Sequence, residues 1–288
     1  MNDYLFHHEV YQERYNCSAL TEAEWLLRGQ KHEYFGIFSI VLGCFQLMFY
    51  LPFFITMLEP QLFVLSCYKL MFFLGFVDIL TIIIASIVSG YLMIQGAVYC
   101  SHPTLNFCAG AFGLATWLGS CYTCMLLTIN RCTDVYFPHI SRALFNGWRT
   151  WVWIGIPASI MFYVTMYAPV MTFNSNYMAW FFDPYIGMDD IVPHDPLYYT
   201  SKMQSFSNVL TIIVLFVGNA FLFYYVHSKT AKATGGSKMK KQFATQVFVI
   251  CFLVMSTASI YTYMQYFSAP KWLIIIASMS FCFSSGKQ

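Results

Sequence analysis

Leu105-Asn106-Phe107-Cys108-Ala109-Gly110 opens a stretch that closes with Leu126-Leu127-Thr128-Ile129-Asn130-Arg131-Cys132. It is apolar and carries no charge until Arg131. As a helix it would be roughly 40 Å long at 1.5 Å per residue. That exceeds the ~30 Å hydrocarbon core of a bilayer. An arginine where such a helix leaves the membrane is either a snorkelling anchor or the working part of a signalling switch. The rest of the chain has to decide between the two.

The composition points the same way as this stretch. Of 288 residues, 58% are hydrophobic, 20% aromatic and only 10% charged. Soluble domains carry about 25% charged residues. A membrane protein is therefore expected before any motif is read. The net charge of +2 discriminates little. Met1 to Glu33 is polar and acidic, without the apolar core of a cleavable signal peptide. The first span is then expected to act as its own insertion signal.

Working outward, further uncharged or nearly uncharged runs flank the opening stretch. Tyr34 to Leu58 is long enough to span and contains Pro52, which removes a backbone donor and kinks a helix. Glu59 to Lys69 reads as a short polar loop, and Leu70 to Ile94 as a second span. Gln95 to Thr104, with Gly96 and Pro103, reads as a tight turn into the third span. Trp151 to Val170, Met203 to His227 and Gln242 to Phe267 read as spans four to six. Met171 to Lys202 between them is the longest loop, with four aspartates and three prolines. Trp272 to Phe283 is a seventh apolar run of about 18 Å if helical, marginal for a full crossing.

Basic residues set the orientation. With the N-terminus outside, the cytoplasmic segments hold ten of the fifteen lysines and arginines, counting Arg131, and the outer side holds five. Three of those five, Arg14, Arg28 and Lys31, precede any span. The positive-inside rule favours N-terminus out and C-terminus in. The fold expected is an all-α, seven-transmembrane helix bundle with a short or incomplete seventh helix. Residues 1–33 form an extracellular tail, 34–283 the membrane domain and 284–288 a short cytoplasmic tip. No internal repeat of the kind common in transporters is visible.

Asp78 is the only acid inside any expected span. It lies about 13 Å into its helix from the Lys69 end. Such a charge is costly and normally faces a bundle interior or water-filled cavity. It is either a pivot between helices or a protonated acid that merely packs. Of the ten cysteines, Cys17 and Cys100 are the clearly extracellular pair. An oxidising exterior favours a disulfide between them, and two free thiols are the alternative. Cys121-Tyr122-Thr123-Cys124 has C-x-x-C spacing but lies in an apolar helix without companion ligands. Asn16-Cys17-Ser18 is an N-glycosylation sequon. Lys238, Lys240 and Lys241 form a cytoplasmic basic patch before the sixth span. The patch reads as a topology anchor on anionic lipid, or as a contact for an intracellular partner.

The seven histidines form no H-x-x-H or H-x-x-x-H box. There is no nucleophile elbow, phosphate-binding glycine loop or pair of catalytic carboxylates. Enzyme activity has no positive support. No cofactor or metal is expected, and no nucleic-acid partner.

Seven spans, an outer N-terminus and an arginine closing the third helix resemble G-protein-coupled receptors. More narrowly, the chain resembles nematode serpentine chemosensory receptors of class T, in the gamma-type superfamily. The residues that carry the likeness are Tyr15-Asn16-Cys17-Ser18, the first helix from Gly36 through Gly43 to Tyr50-Leu51-Pro52, and Ser66 to Gly75 with Asp78. Gly96-Ala97-Val98-Tyr99-Cys100 and Asn130-Arg131 complete it. The resemblance implies a receptor that binds an environmental small molecule between its helices. It further implies coupling to a heterotrimeric G protein through Arg131 and Asn130, in a multi-pass plasma-membrane setting such as that of sensory cilia.

The chain also departs from the receptor pattern. Asn130 stands where rhodopsin-like receptors carry an acid, so Asp134 is the nearest same-face replacement. Helices five and six lack proline, and Asn-Pro-x-x-Tyr is absent. The run after helix seven is short, which raises a truncated, non-signalling receptor as an alternative. An ion- or proton-coupled transporter using Asp78 is another, although a lone buried acid makes a poor pathway.

Overall fold

The computed structural model describes residues 1–230, 249, 252–264, 267 and 270–285. Five helices there are long and apolar enough to cross a membrane. They are α4 (Glu33–Thr56), α6 (Ser66–Gln95), α7 (Pro103–Tyr136), α9 (Arg149–Tyr167) and α10 (Lys202–Thr230). Residues 252–264 form a further helix, α11, inside the expected sixth span. The seventh run forms α12 (Lys271–Ser285), about 22 Å long. The remainder of the expected sixth span, and the patch Lys238, Lys240 and Lys241, lie outside the described residues.

The third span is longer than its apolar core. Proline at position 103 opens α7, since its fixed φ suits a first turn that needs no donor. The helix then runs past Arg131 to Tyr136, and Pro138 opens the next short helix, α8 (Pro138–Phe145). α7 is buried on the sides that face α6, α9 and α10, with Leu114, Leu118 and Cys121 sealed from solvent.

The loop expected over Glu59 to Lys69 is shorter than that. Pro60 starts a one-turn helix, α5 (Pro60–Phe63), and extended Leu65 leads into α6 at Ser66. Lys69 therefore lies within the second span, buried, and its Nζ donates to the Gly147 carbonyl at 2.9 Å. Residues Ile83–Val88 of α6 wind as a π-helical turn. Here the Ser89 backbone N–H and the Ser89 hydroxyl both bond the Ile84 carbonyl, the hydroxyl at 2.9 Å.

α4 buries only Gly36, Ser39, Gly43 and Tyr50, and turns Phe38, Val41, Phe45 and Met48 outward. An apolar outer face on a helix is what a bilayer demands. Its contact with α6 depends on small residues. A β-carbon on Gly36 would meet the Gly90 carbonyl oxygen at 2.6 Å, and one on Gly90 would meet that of Gly36 at 2.7 Å. Two backbones approach this closely only where neither bears a side chain.

The expected tail and long loop are structured. The tail contains α1 (Asn2–Phe6), α2 (His8–Arg14) and α3 (Glu22–Arg28). The last of these starts on a capping box, with Thr21 and Glu24 exchanging bonds at 2.8 and 3.4 Å. The long loop holds an antiparallel hairpin, β1 (Thr172–Asn174) on β2 (Ala179–Phe181), with Phe173 opposite Trp180. This hairpin departs from an all-α chain, while the molecule remains mostly helical. The chain entering β1 runs against α7 at Gly110, where a β-carbon would stand 1.6 Å from the Met171 carbonyl oxygen.

Gly110→Ala therefore forces the hairpin away from α7. The expected cost is about 1–3 kcal/mol, as for overpacked interiors. A melting temperature of the detergent-solubilised variant equal to that of the parent would contradict this packing.

Candidate functional site

At the end of the bundle nearest the N-terminal tail, three segments form a cap. Cys17 and Cys100 are joined by a disulfide, with their Cα atoms 5.4 Å apart. The Trp25 indole donates to the Cys17 carbonyl at 3.0 Å and is itself buried. Tyr11 and Tyr99 hydroxyls meet at 2.8 Å. Phe107 of α7 packs edge-on against the rings of Tyr11 and Tyr15. From the long loop, Tyr185 donates to the Asn16 carbonyl at 2.8 Å and Tyr199 to the Arg14 carbonyl at 2.9 Å. Burial pushes the Tyr15 phenol up to about 12. The Asn16 side chain is exposed, its Oδ1 accepting from the Ser18 N–H at 2.9 Å.

The hairpin is the roof below this cap. Asn106, in the first turn of α7, accepts from the Phe173 N–H at 2.6 Å and donates to the Phe173 carbonyl at 3.2 Å. The Trp180 indole donates to Ser89 Oγ at 2.9 Å. That hydroxyl is the one bonded to Ile84 in the π-helical turn, so hairpin and turn share it.

Under the roof lies a cavity of about 360 Å³. Met171, Trp180, Phe181 and Phe182 line it from the hairpin side. Gln204 of α10 and Tyr261 and Met264 of α11 close the helical side. Asp183, Asp189 and Thr200 complete the polar part of the lining. A smaller recess continues from it down to Trp117 of α7. Trp117 donates its indole N–H to Asn208 Oδ1 at 3.0 Å. The volume falls at the small end of ordinary ligand pockets, ~300–1,000 Å³, and the mostly apolar lining with a few polar groups suits one.

His194 braces the mouth of the cavity. Its Nε2 lies 2.8 Å from Asp183 Oδ1, and Nδ1 lies 2.8 Å from the Val192 carbonyl oxygen. Asp189 Oδ1 stands 3.8 Å from Nδ1. Burial pulls the His194 pKa down, but the bonds to Asp183 and Val192 and the two aspartate charges outweigh it. The net displacement is upward from 6.5.

Midway along the bundle, Asp78 is buried and joins three helices. It accepts from the Tyr50 hydroxyl of α4 at 3.0 Å and from the Ser120 hydroxyl of α7 at 3.2 Å. At the opposite end, Asn130 is fully buried and donates to Ser66 Oγ at 3.1 Å. Arg131 is half-buried beside it. Asp134, expected as a stand-in partner for the arginine, accepts from the Ser141 hydroxyl of α8. Two residues on, Tyr136 donates to the Phe221 carbonyl of α10 at 2.8 Å. The third span is thus tied to the second and the fifth on either side of Arg131.

Among the described residues, the expected site residues therefore fall in three places: the cap, the middle and the Arg131 end. The pocket itself carries none of them. Trp180 and Asn106 belong to no motif. The only sequence signals for them were an indole in a polar loop and an amide in the first turn of an uncharged helix.

The family described as serpentine type 7TM GPCR chemoreceptor Srt matches residues 1–288. The chain is also 25% identical over 278 residues to serpentine receptor class T-55 of Caenorhabditis elegans, covering 95% of this chain and 74% of that receptor.

Two outcomes are expected from the cap. Cys17→Ser removes a cross-link spanning 83 residues, with a cost of about 2–5 kcal/mol. Its melting temperature should fall and trypsin should reach Arg14 and Arg28; an equally protected tail refutes the role given to the disulfide. The second concerns pH. A histidine pKa raised by folding stabilises fully below the unfolded value near 6.5 and ceases to do so as pH rises through the folded value. Residues 183–199 should therefore show greater hydrogen-exchange protection at pH 6 than at pH 8, after correction for intrinsic rates. His194→Gln should flatten that difference, and equal protection in the parent would rule the brace out.

Proposed function

Because the chain belongs to the serpentine type 7TM GPCR chemoreceptor Srt family, we propose that it detects a small molecule in the cavity beneath the hairpin and signals from its Arg131 end. A multi-pass membrane receptor of the chemoreceptor class follows from the family.

The single observation that carries the reading is the cavity itself. It lies between the hairpin and the helices α7, α10 and α11, so a bound molecule touches several separate elements at once. A ligand shifts a two-state bundle only by its differential affinity for the two states. Contacts made at once with Trp180, Gln204 and Tyr261 supply such a difference.

In the proposed orientation, the tail 1–33, the cap and the disulfide face outside, and Asn16 carries a glycan there. Residues 34–283 form the membrane domain and 284–288 the cytoplasmic tip. Arg131 meets a heterotrimeric G protein at the inner face. Asn130 holds the third span against Ser66 and so acts as a positioning residue. Asp78, gripped by Tyr50 and Ser120, is the pivot about which the first three helices pack. Lys238, Lys240 and Lys241 serve as the basic patch at the inner lipid surface. The Asp78 cluster is closed by direct side-chain bonds, which suits a cross-link better than a carrier path.

The test expresses the chain with a promiscuous G protein and screens a panel of small odorants. Trp180→Ala should raise the half-maximal concentration of an active odorant at least tenfold with surface delivery kept. Arg131→Ala should leave odorant binding in place and remove the signal. A signal that survives Arg131→Ala takes that residue out of the mechanism. A response insensitive to both Trp180→Ala and Tyr261→Ala places the ligand elsewhere.

A further inference from the structure

We infer that the cavity under the hairpin selects a compact organic cation, an amine that is protonated or quaternary and carried on an apolar body. The inference rests on the reading of that cavity as the ligand site and adds the chemical class of what enters it. Three features support it, and each limits the ligand in a different way.

The first is the character of the walls. Trp180, Phe181, Phe182 and Tyr261 supply aromatic surface on both the hairpin and the helical side. Aromatic faces carry negative electrostatic potential and attract cations, tryptophan most strongly. Met171 and Met264 add polarizable sulfur, which tolerates varied apolar shapes.

The second is charge. Asp183 and Asp189 are the charged residues among the described lining residues, and no lysine or arginine stands with them. His194 is bonded to Asp183 at 2.8 Å, so that carboxylate already has a cationic partner when the imidazole is protonated. One imidazolium stands against two carboxylates, and Asp189 keeps only a loose 3.8 Å approach to it. The neighbouring Asp190 is paired with Arg28 at 3.2 Å and adds little net charge. The charged lining, with its His194 partner, is therefore net negative. An anionic ligand would be placed against like charge, and a cation against opposite charge.

The third is size. The 360 Å³ available suits one small body, at the low end of ordinary ligand pockets. The ammonium would sit towards Asp189, whose side chain is 74% exposed and lies at the entrance. The apolar body would lie inward against Trp180 and Tyr261.

The experiment uses the full chain in lipid nanodiscs and three probes of similar shape: 2-phenylethylamine, 2-phenylethanol and phenylacetate. Equilibrium binding is measured at pH 7 by calorimetry. The amine should bind at least tenfold more tightly than the alcohol, and the carboxylate most weakly. Asp189→Asn should cut the amine-to-alcohol ratio several-fold. That substitution is at an exposed position, so it separates charge from folding. Asp183→Asn, which removes the charge paired with His194, is the second variant and should lower the ratio again. Equal binding of amine and alcohol, or a ratio that neither variant moves, overturns the cation inference and leaves the pocket standing. Binding of none of the probes, or binding unaffected by Trp180→Ala and Tyr261→Ala together, overturns the pocket reading and the inference with it.

Discussion

The third span is almost without charge and is the most deeply buried of the long helices, so each polar side chain on it has to find its partner inside the molecule. From this one constraint most of the architecture follows. Asn106 takes both backbone groups of Phe173 and seats the hairpin. Trp117 reaches Asn208 on α10, and Tyr122 reaches Ser207 on the same helix. Ser120 reaches Asp78 on α6, and Asn130 reaches Ser66 at that helix's start. The partners alternate between neighbours, so the helix acts as a spine that fixes α6 and α10 at separate heights. Each such bond is worth only about 1 kcal/mol net, but leaving one buried partner unpaired costs about 1–3 kcal/mol. The arrangement thus specifies position more than it adds stability.

Much of the bundle is legible in the sequence because apolar runs of membrane length have few alternatives. The uncharged stretches around Tyr34–Leu58 and Met203–His227 became helices with nearly those limits. The limits failed where charge and helix end do not coincide. Lys69 marked the end of a polar loop in the sequence, yet it lies a turn inside α6 because Gly147 offers its carbonyl. A lysine inside a helix is tolerated when its long stem reaches an acceptor, and no local pattern announces that acceptor. The same holds for the third span, which continues to Tyr136 through Arg131 and Asp134 because Tyr136 finds the Phe221 carbonyl beyond the apolar run.

The site was less legible than the fold. Asp78 and Arg131 stand out in a sequence because charge is rare in such helices. The cavity does not, since its walls are aromatic and sulfur side chains that would serve equally as core. Trp180 is decided by register: it opposes Phe173 across a three-residue pairing, and Asn106 fixes that pairing from another helix. Information of that kind is carried by contacts about 67 residues apart in sequence, so no window of local sequence contains it.

The cap also imposes an order on assembly. Tyr11, Tyr15 and Trp25 are made before any span, but their seats come from much later parts of the chain. Cys100 arrives after two spans, Phe107 with the third, and Tyr185 and Tyr199 only after the fourth. Contacts of such separation are slow to form because loop-closure entropy is lost before they give anything in return. The tail must therefore wait, its aromatic face uncovered, until most of the bundle is in place. A chain whose cap has closed has, by that fact, already inserted and packed its first four spans, and closure of the tail serves as an internal record of correct biogenesis.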